Sequence, residues 1–304
     1  PKSPFKTTLP VSGAVATTYN LLCIITKDGV PMCTGLGSKD AFALEPPKNG
    51  EDVVDIAGNR TSSFPEIFMV TASRKILKVN RLDNTATDIA LNAQAVRVAV
   101  GLSHACAITF DGQTEEVRCW GSNDAGQLGT SASGTVEPKS TQAVAGQWLG
   151  LSSICAGEQF TCLTTFDSTA CWGEGSLGQL GNGKAVDSTS PVAVNLQGAA
   201  HQVTCGQRHA CALQNGQVYC WGDNSEGQLG DGSVVPQKSP VLVRTPGDGL
   251  TDIQAIEASG SRTCARNGSG HVYCWGANSS SEDLFNKYKS NTEGANYWAT
   301  ELPT

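Results

Sequence analysis

This 304-residue chain contains twelve cysteines, and their reactive side chains and regular spacing make them the first candidates for a chemical role. Ten of them form five pairs, and the two members of a pair are 9 to 13 residues apart. Such cysteines could bind zinc or form disulfides. A zinc site needs four converging ligands and usually contains two cysteines separated by two to four residues. The longer spacings seen here favour disulfides.

The segment from Cys211 to Cys220, CALQNGQVYC, shows how such a pair would be placed. Its centre, Asn215-Gly216, is a favoured two-residue hairpin turn because both positions need a positive φ angle. Counting outward from the turn pairs Cys211 with Cys220 in a non-hydrogen-bonded position, where facing side chains are closest. Equivalent hairpins predict five disulfides: Cys23–Cys33, Cys106–Cys119, Cys162–Cys171, Cys211–Cys220 and Cys264–Cys274.

Cys155 and Cys205 remain, and they occupy successive positions of one predicted strand when the repeats are aligned on Gly157 and Gly206. Successive strand residues point to opposite faces of a sheet, so these two cysteines would face each other from neighbouring repeats. They predict a sixth disulfide, Cys155–Cys205. Disulfides in this number indicate an oxidising compartment, so we expect a secreted or cell-surface protein, extracellular or periplasmic.

The sequence gives no indication of a catalytic site. His104 and His209 fall at the same repeat position, which is typical of a structural role, and no HExxH, GxSxG, P-loop or dinucleotide motif is present. We therefore expect no enzyme activity, no cofactor and no metal site. The net charge of −7 and the lack of basic runs argue against nucleic-acid binding, and no apolar stretch is long enough for a membrane span.

A repeat positions these cysteines. Cys-Trp-Gly occurs at Cys119, Cys171, Cys220 and Cys274, at intervals of 52, 49 and 54 residues, and GQLG follows the first three. Two weaker copies precede them, which makes six copies at roughly 50-residue spacing, a period typical of propeller blades. The repeated tryptophans are expected to pack between blades rather than bind a ligand.

Each copy alternates short apolar runs with Gly, Asn and Asp turns, so it predicts a small antiparallel sheet. We expect an all-β propeller of four-stranded blades, six in number, or seven if the segment after Gly276 hides another copy. SPFKTTLP near the start and WATELPT at the end both resemble the linker KSPVLVRTP. Residues 1–304 are therefore expected to form one domain whose ring is closed by the terminal strands. Because it begins at Pro1, the chain is expected to be a mature or trimmed fragment.

The combination of HACAL, VYCWGDN and GQLGDG resembles the regulator-of-chromosome-condensation repeat family, a β-propeller family. The cysteine-bearing form is similar to the extracellular repeats of crinkly-type plant receptor kinases and to secreted bacterial members, some of which inhibit β-lactamases. The resemblance implies a binding scaffold rather than a catalyst.

The function expected from these observations is an extracellular binding module, a receptor ectodomain or secreted interaction protein, that presents its face loops to a protein or peptide. A lectin-like glycan binder and a secreted enzyme inhibitor are the alternatives. The chain is expected to be a monomer. Candidate binding aromatics, which lie outside the repeated positions, are Trp148, Tyr288, Tyr297 and Trp298, although Trp148 could equally be buried like the linker leucines of other copies. Candidate glycosylation sites, from the Asn-x-Ser/Thr pattern, are Asn59, Asn267 and Asn278.

Overall fold

The regular structure of the chain is almost entirely β-strand. The computed structural model describes residues 11–17, 21–35, 42–44, 50–59, 66–79, 85–91, 93–146, 148–245, 250–277 and 296–301. Within these residues the strands form small antiparallel sheets in which each strand pairs with the next one in the chain. This up-and-down order is what short apolar runs separated by tight turns produce.

The first three sheets lie in residues 11–121. The first contains β1 (Val11–Thr17), β2 (Leu21–Thr26), β3 (Pro31–Gly35) and β4 (Phe42–Ala43). The second contains β5 (Val53–Gly58), β6 (Ile67–Thr71), β7 (Ile76–Val79) and β8 (Ala86–Asp88). The third contains β9 (Gln94–Val100), β10 (His104–Phe110) and β11 (Glu115–Gly121).

Three further sheets follow, each with four strands. The fourth contains β12 (Ser153–Ala156), β13 (Phe160–Thr164), β14 (Thr169–Gly173) and β15 (Ser188–Ala193). The fifth contains β16 (Gln202–Cys205), β17 (His209–Gln214), β18 (Gln217–Gly222) and β19 (Gln237–Leu242). The sixth contains β20 (Ile253–Ser259), β21 (Arg262–Asn267), β22 (Val272–Gly276) and β23 (Asn296–Glu301).

The number of four-stranded blades differs from the expectation. The described residues form five four-stranded sheets, and the third sheet has only three strands, so the prediction of six or seven four-stranded blades is wrong. Where a fourth strand would lie, two isolated bridges join Val136 to Gly121 and Ala143 to Arg118. A short 3-10 helix, Pro138–Ser140, separates these bridges. Val136 and Ala143 are seven residues apart, whereas the equivalent positions of the fourth sheet, Ser188 and Ala193, are five apart, so two extra residues interrupt the pairing.

The segment after Gly276 also differs from one alternative. Its described part, Asn296–Glu301, pairs with β22 and completes the sixth sheet instead of starting another. At the other end of the chain, β1 pairs with β2 of its own repeat. Closure of residues 1–304 into a single ring by the terminal strands stays a prediction.

The hairpin register is as predicted from the Asn215-Gly216 turn. Asn215 and Gly216 have φ angles of 50° and 76°, and Cys211 lies opposite Cys220. The five intra-sheet cysteine pairs have Cα–Cα distances of 4.0 to 4.1 Å, as expected for non-hydrogen-bonded positions. All five predicted disulfides within sheets are confirmed, and so is the sixth, Cys155–Cys205, which joins β12 to β16 across 5.4 Å between Cα atoms.

The chain divides into two compact units. The first comprises Pro1–Ser122 and Ser133–Val144, and the second comprises Asn123–Ala132 and Ala145–Thr304. The loop 123–132 contains the GQLG motif of the third repeat, yet it belongs to the second unit. The reason is that Trp172 Nε1 and Thr161 Oγ1 both donate hydrogen bonds to Gln127 O, at 2.9 and 3.0 Å.

The same contact recurs within the second unit and explains its core. Trp221 Nε1 donates to Gln179 O and Trp275 Nε1 donates to Gln228 O, each at 2.9 Å, so each tryptophan closes on the GQLG loop of the preceding repeat. The repeated tryptophans are buried, as expected for residues that pack in the core, and the GQLG leucines are buried as well. The last glycine of one such motif, Gly230, has a φ angle of 64°, and a Cβ there would lie 2.8 Å from the Trp275 ring. A larger residue would therefore both strain the turn and displace the tryptophan.

No helix among the described residues is long and apolar enough to cross a membrane.

Candidate interaction site

The turns that join the second and third strands of each sheet differ at one position. In five sheets the turn is built from small, charged or polar residues; these turns are 27–29, 72–74, 111–114, 215–216 and 268–270. In the fourth sheet the turn between β13 and β14 carries Phe166, which is 68% exposed. Aromatic side chains bury large areas when a partner covers them, so a single exposed phenylalanine at a turn is a candidate binding group.

Hydrogen bonds from a buried threonine hold this turn. Thr165 is 2% exposed, and its Oγ1 donates to Asp167 Oδ1 at 2.8 Å and accepts from Ser168 N at 3.1 Å. Thr165 N also donates to Ser168 O at 2.9 Å. Local side-chain bonds of this kind order a turn without help from a neighbouring element. Phe166 is therefore presented on a preorganised turn.

The same bonds set the charge beside Phe166. Hydrogen bonds from Thr165 and from Ser168 hold the pKa of the exposed Asp167 carboxyl below its usual value. Asp167 is therefore an anion throughout the physiological pH range. An apolar group and a negative charge lie side by side on one turn.

A second exposed apolar residue lies against this turn. The segment before β12 runs along the hairpin: Ser152 N donates to Thr164 O at 3.0 Å, and Phe166 N donates to Leu149 O at 3.3 Å. Leu149 is 68% exposed, like Phe166. A Cβ at Gly150 would lie 3.2 Å from Phe166 Cβ, so the segment approaches the turn closely. We call Leu149, Phe166 and Asp167 the Phe166 patch.

Of the predicted binding aromatics, only Trp148 has a described side chain. Trp148 is partly buried, and its ring lies over Gly146, where an added Cβ would come within 2.4 Å of the indole Cζ2. Trp148 is next to the patch in the sequence, but its side chain is less exposed than those of Leu149 and Phe166. Tyr288 and the side chains of Tyr297 and Trp298 lie outside the described residues.

Leu149 and Phe166 were missed by the sequence analysis. The signal that could have found Phe166 is a phenylalanine at a turn where the other repeats place Asn-Gly, Asp-Gly or Gly-Ser-Gly. Turn positions favour small and polar residues for local reasons, so an aromatic residue there has no local explanation.

Other exposed apolar residues are Val54 in β5, Leu102 between β9 and β10, and three valines at the opposite ends of the strands, on the loops that precede the outer strands β15 and β19: Val186, Val234 and Val235. Near the start of β17, an ion pair joins Arg208 Nε to Glu158 Oε2 at 3.0 Å. The charges of Arg208 and Glu158 therefore partly neutralise each other.

The equivalent histidines are structural. His209 is fully buried, its Nε2 lies 2.7 Å from Thr263 Oγ1, and burial lowers its pKa to about 4. His104 is 3% exposed, and burial lowers its pKa to about 4 as well. Both imidazoles are neutral at physiological pH and inaccessible to a substrate. Among the described residues, no group of three or more His, Cys, Asp or Glu side chains is arranged to hold a metal ion.

The glycosylation candidates have different surroundings. Asn59 is 4% exposed; its Oδ1 accepts from Glu66 N at 2.7 Å and its Nδ2 donates to Leu102 O at 3.3 Å. A buried and bonded amide is not accessible for modification in the folded chain, and glycosylation of Asn59 stays a prediction. Asn267 is partly exposed and lies at a hairpin turn, so it stays a candidate, and Asn278 lies outside the described residues.

Comparisons with known proteins give the repeat family. Two models of the regulator of chromosome condensation (RCC1) repeat match the chain, one at residues 171–213 and 215–266 and the other at residues 95–127, 200–228 and 253–282. The chain is 35% identical over 104 residues to the ultraviolet-B receptor UVR8 of Arabidopsis thaliana. This match covers 34% of the chain and 22% of the receptor, so the chain corresponds to about a fifth of its length.

Solved structures agree on the fold. Yeast Prp20p from Saccharomyces cerevisiae, whose binding to Gsp1p and histones is described with its structure, superposes with a TM-score of 0.75 at 14% identity, covering 95% of this chain and 76% of Prp20p. Human WBSCR16 superposes with a TM-score of 0.76 at 17% identity, covering 99% of this chain and 83% of WBSCR16. At these identities the likeness shows the fold alone. Residues 95–127 and 171–282 therefore match RCC1-type repeats, and the chain has the all-β propeller fold of these structures.

Proposed function

We propose that this protein is an extracellular, non-enzymatic interaction module that binds a protein or peptide partner through the Phe166 patch. The observation that carries the proposal is a pair of exposed apolar residues: Phe166, on a turn whose counterparts in the other sheets are polar, and Leu149, in the segment that lies against this turn. The fold class supports it, because related propellers are protein-binding proteins. Propeller-face loops are where such scaffolds place their variable contacts.

The size of the patch is adequate for anchoring. Fully burying a leucine or phenylalanine side chain contributes about 1.5–3 kcal/mol, so covering the exposed two thirds of Phe166 contributes about 1–2 kcal/mol. Leu149 has the same exposed fraction and contributes a similar amount. Together they amount to about 2–4 kcal/mol, which corresponds to roughly 30- to 900-fold in affinity. The preorganised turn keeps this gain because little conformational entropy is lost on binding.

The proposed location follows from the cysteines. All six disulfides involve the twelve cysteines of the chain, so no thiol remains for metal or redox chemistry. Structural disulfides in this number persist in oxidising compartments. The location is tested by alkylating the protein before it leaves its native compartment and counting modified cysteines by mass spectrometry. We expect no modified cysteine; twelve modified cysteines would place the protein in a reducing compartment.

The binding function is tested with a phage-displayed library of random peptides selected on the immobilised protein. Selected peptides are then measured against Phe166→Ser and Leu149→Ser by fluorescence polarisation. We expect each variant to weaken binding about 5- to 30-fold, the equivalent of about 1–2 kcal/mol. The control is Val186→Ser, which removes another exposed apolar residue, 58% exposed, at the opposite end of the strands.

Two results would refute the proposal. One is a selection that enriches no peptide above the background of an empty support. The other is a set of peptides that lose affinity equally with Val186→Ser and with Phe166→Ser, since binding would then not depend on the patch. Thermal melts of each variant show whether the fold is retained, as expected for exposed positions.

A further inference from the structure

We infer that the Phe166 patch recognises a peptide segment in which an apolar side chain lies next to a lysine or arginine. This inference rests on the proposed function and names its partner class. The apolar side chain would pack on Phe166 and Leu149, and the cationic side chain would reach the Asp167 carboxylate. Three features of the chain support the choice of a cation.

The first feature is the position of Asp167. It follows Phe166 directly on the exposed turn, and Thr165 Oγ1 donates to its Oδ1 at 2.8 Å. A carboxylate has about four acceptor positions, so the bonds from Thr165 and Ser168 leave others for a partner. Because the turn is held by Thr165, the carboxylate has a fixed place beside the phenylalanine. A cation that binds there has its geometry determined by the apolar contact.

The second feature is the lack of a neutralising cation in the surrounding chain. The sequence has no lysine or arginine between Lys139 and Lys184, a stretch that includes β12, β13, β14 and the whole patch. Asp167 takes part in none of the ion pairs found among the described residues, whereas Glu158, on the same sheet, is paired with Arg208. Covering the patch therefore leaves at its edge a carboxylate that no described lysine or arginine pairs, and a cationic partner can pair it.

The third feature is the contrast with the hairpin of the third sheet. Asp111 has a similar local arrangement there: its Oδ1 accepts from Gln113 N at 2.8 Å and from Thr114 N at 2.7 Å. Its turn carries no exposed large apolar residue. An aspartate at a turn is therefore common, because its side chain bonds the turn backbone. The turn of the fourth sheet differs because an exposed apolar side chain lies next to the carboxylate. This juxtaposition selects for a mixed apolar and cationic partner.

The test uses the same random-peptide library on the full chain. Selected peptides are sequenced, and their affinities are measured for the parent, Asp167→Asn, Asp111→Asn and Phe166→Ser at about 0.05 and about 0.5 M salt, where exposed charge pairs are strong and weak respectively. The side-chain amide introduced by Asp167→Asn still offers an oxygen to the Thr165 hydroxyl, so the turn is kept. Asp111→Asn is the matched control on a turn of the other unit.

We expect lysine or arginine to be enriched within two positions of an apolar residue. We also expect Asp167→Asn to weaken binding about two- to fivefold at low salt and to reduce the salt dependence, as for an exposed ion pair, while Asp111→Asn leaves both unchanged. Peptides that depend on Phe166 but show neither basic enrichment nor sensitivity to Asp167→Asn would overturn this inference and leave the proposed function intact. Failure of all peptides to depend on Phe166 would overturn both.

Discussion

The two buried histidines make the stability of the fold depend on pH in a calculable way. Burial lowers the pKa of His104 and of His209 to about 4, from 6.5. The unfolded chain therefore binds more protons than the folded chain between pH 6.5 and 4. The stabilisation is fully present above pH 6.5 and is lost progressively as the pH falls toward 4.

The magnitude follows from the shift. Each unit of pKa difference corresponds to 1.36 kcal/mol, so one histidine removes about 3 kcal/mol when protonation is complete and about 2 kcal/mol at pH 5. Asp223 moderates the effect at His209, because its negative charge favours the protonated imidazole. Asp55 acts in the opposite direction: burial raises its pKa to about 6, so it adds stability as the pH falls below that value.

The perturbation is His209→Phe, which copies the residue that the chain itself places at the equivalent position. Phe160 is fully buried there, and its ring lies on Gly157 as the His209 ring lies on Gly206. The variant loses the bond to Thr263, so its stability at neutral pH changes, but that change does not depend on pH. Comparison with the parent cancels the contribution of Asp55. We expect the loss of stability between about pH 7.5 and about pH 5 to be smaller by about 2 kcal/mol in the variant.

The assay is urea denaturation followed by tryptophan fluorescence at several pH values, with the denaturant slope checked for constancy. His201→Phe, at an exposed position, is the control and should keep the pH dependence of the parent. If His209→Phe and the parent lose the same stability on acidification, the reasoning from burial to a neutral histidine is refuted.

Three further predictions concern the packing of the sheets. Gly206→Ala should lower stability by about 1–3 kcal/mol, seen as a lower melting temperature, because the new Cβ would lie 2.1 Å from the ring packed on it. Trp221→Phe should cost about 1–3 kcal/mol in urea denaturation, since it leaves a buried carbonyl without its donor, and an unchanged midpoint would contradict the role of that bond. Thr204→Cys with Ala258→Cys should form a seventh disulfide, visible by mass spectrometry, and add about 2–4 kcal/mol, because these residues repeat the positions of the existing inter-sheet bridge; free thiols in the double variant would contradict the alignment.

The sequence predicted the features that depend on spacing within one hairpin. The turn Asn215-Gly216 sets the register, and the register determines which cysteines face each other, so the five intra-sheet disulfides could be derived by counting. The Cys155–Cys205 bridge needed only the alternation of side chains along a strand. These inferences were confirmed because the physics that decides them is local.

The count of four-stranded blades failed because an outer strand is determined less locally. In the fourth sheet, the bridging positions Ser188 and Ala193 are five residues apart, whereas in the third sheet Val136 and Ala143 are seven apart. The two extra residues leave two single bridges where the fourth sheet has a strand. A repeat that keeps its cysteines and tryptophan is recognised as a copy whether or not its last strand forms, so counting copies does not count strands.

The candidate site was missed for a related reason. Candidates were sought among tryptophans and tyrosines outside the repeat, that is, by residue type, whereas exposure decides which aromatic residue can bind. Trp148 was a candidate because of its residue type, but it is partly buried because a neighbouring glycine leaves room for its ring. Phe166 occupies a turn that must point away from the sheet, and the buried hydroxyl of Thr165 holds it there. A search for residues that do not fit the local chemistry of their turn would have selected Phe166. Such a residue has no local reason for its position, so it is the first candidate for contact with a partner.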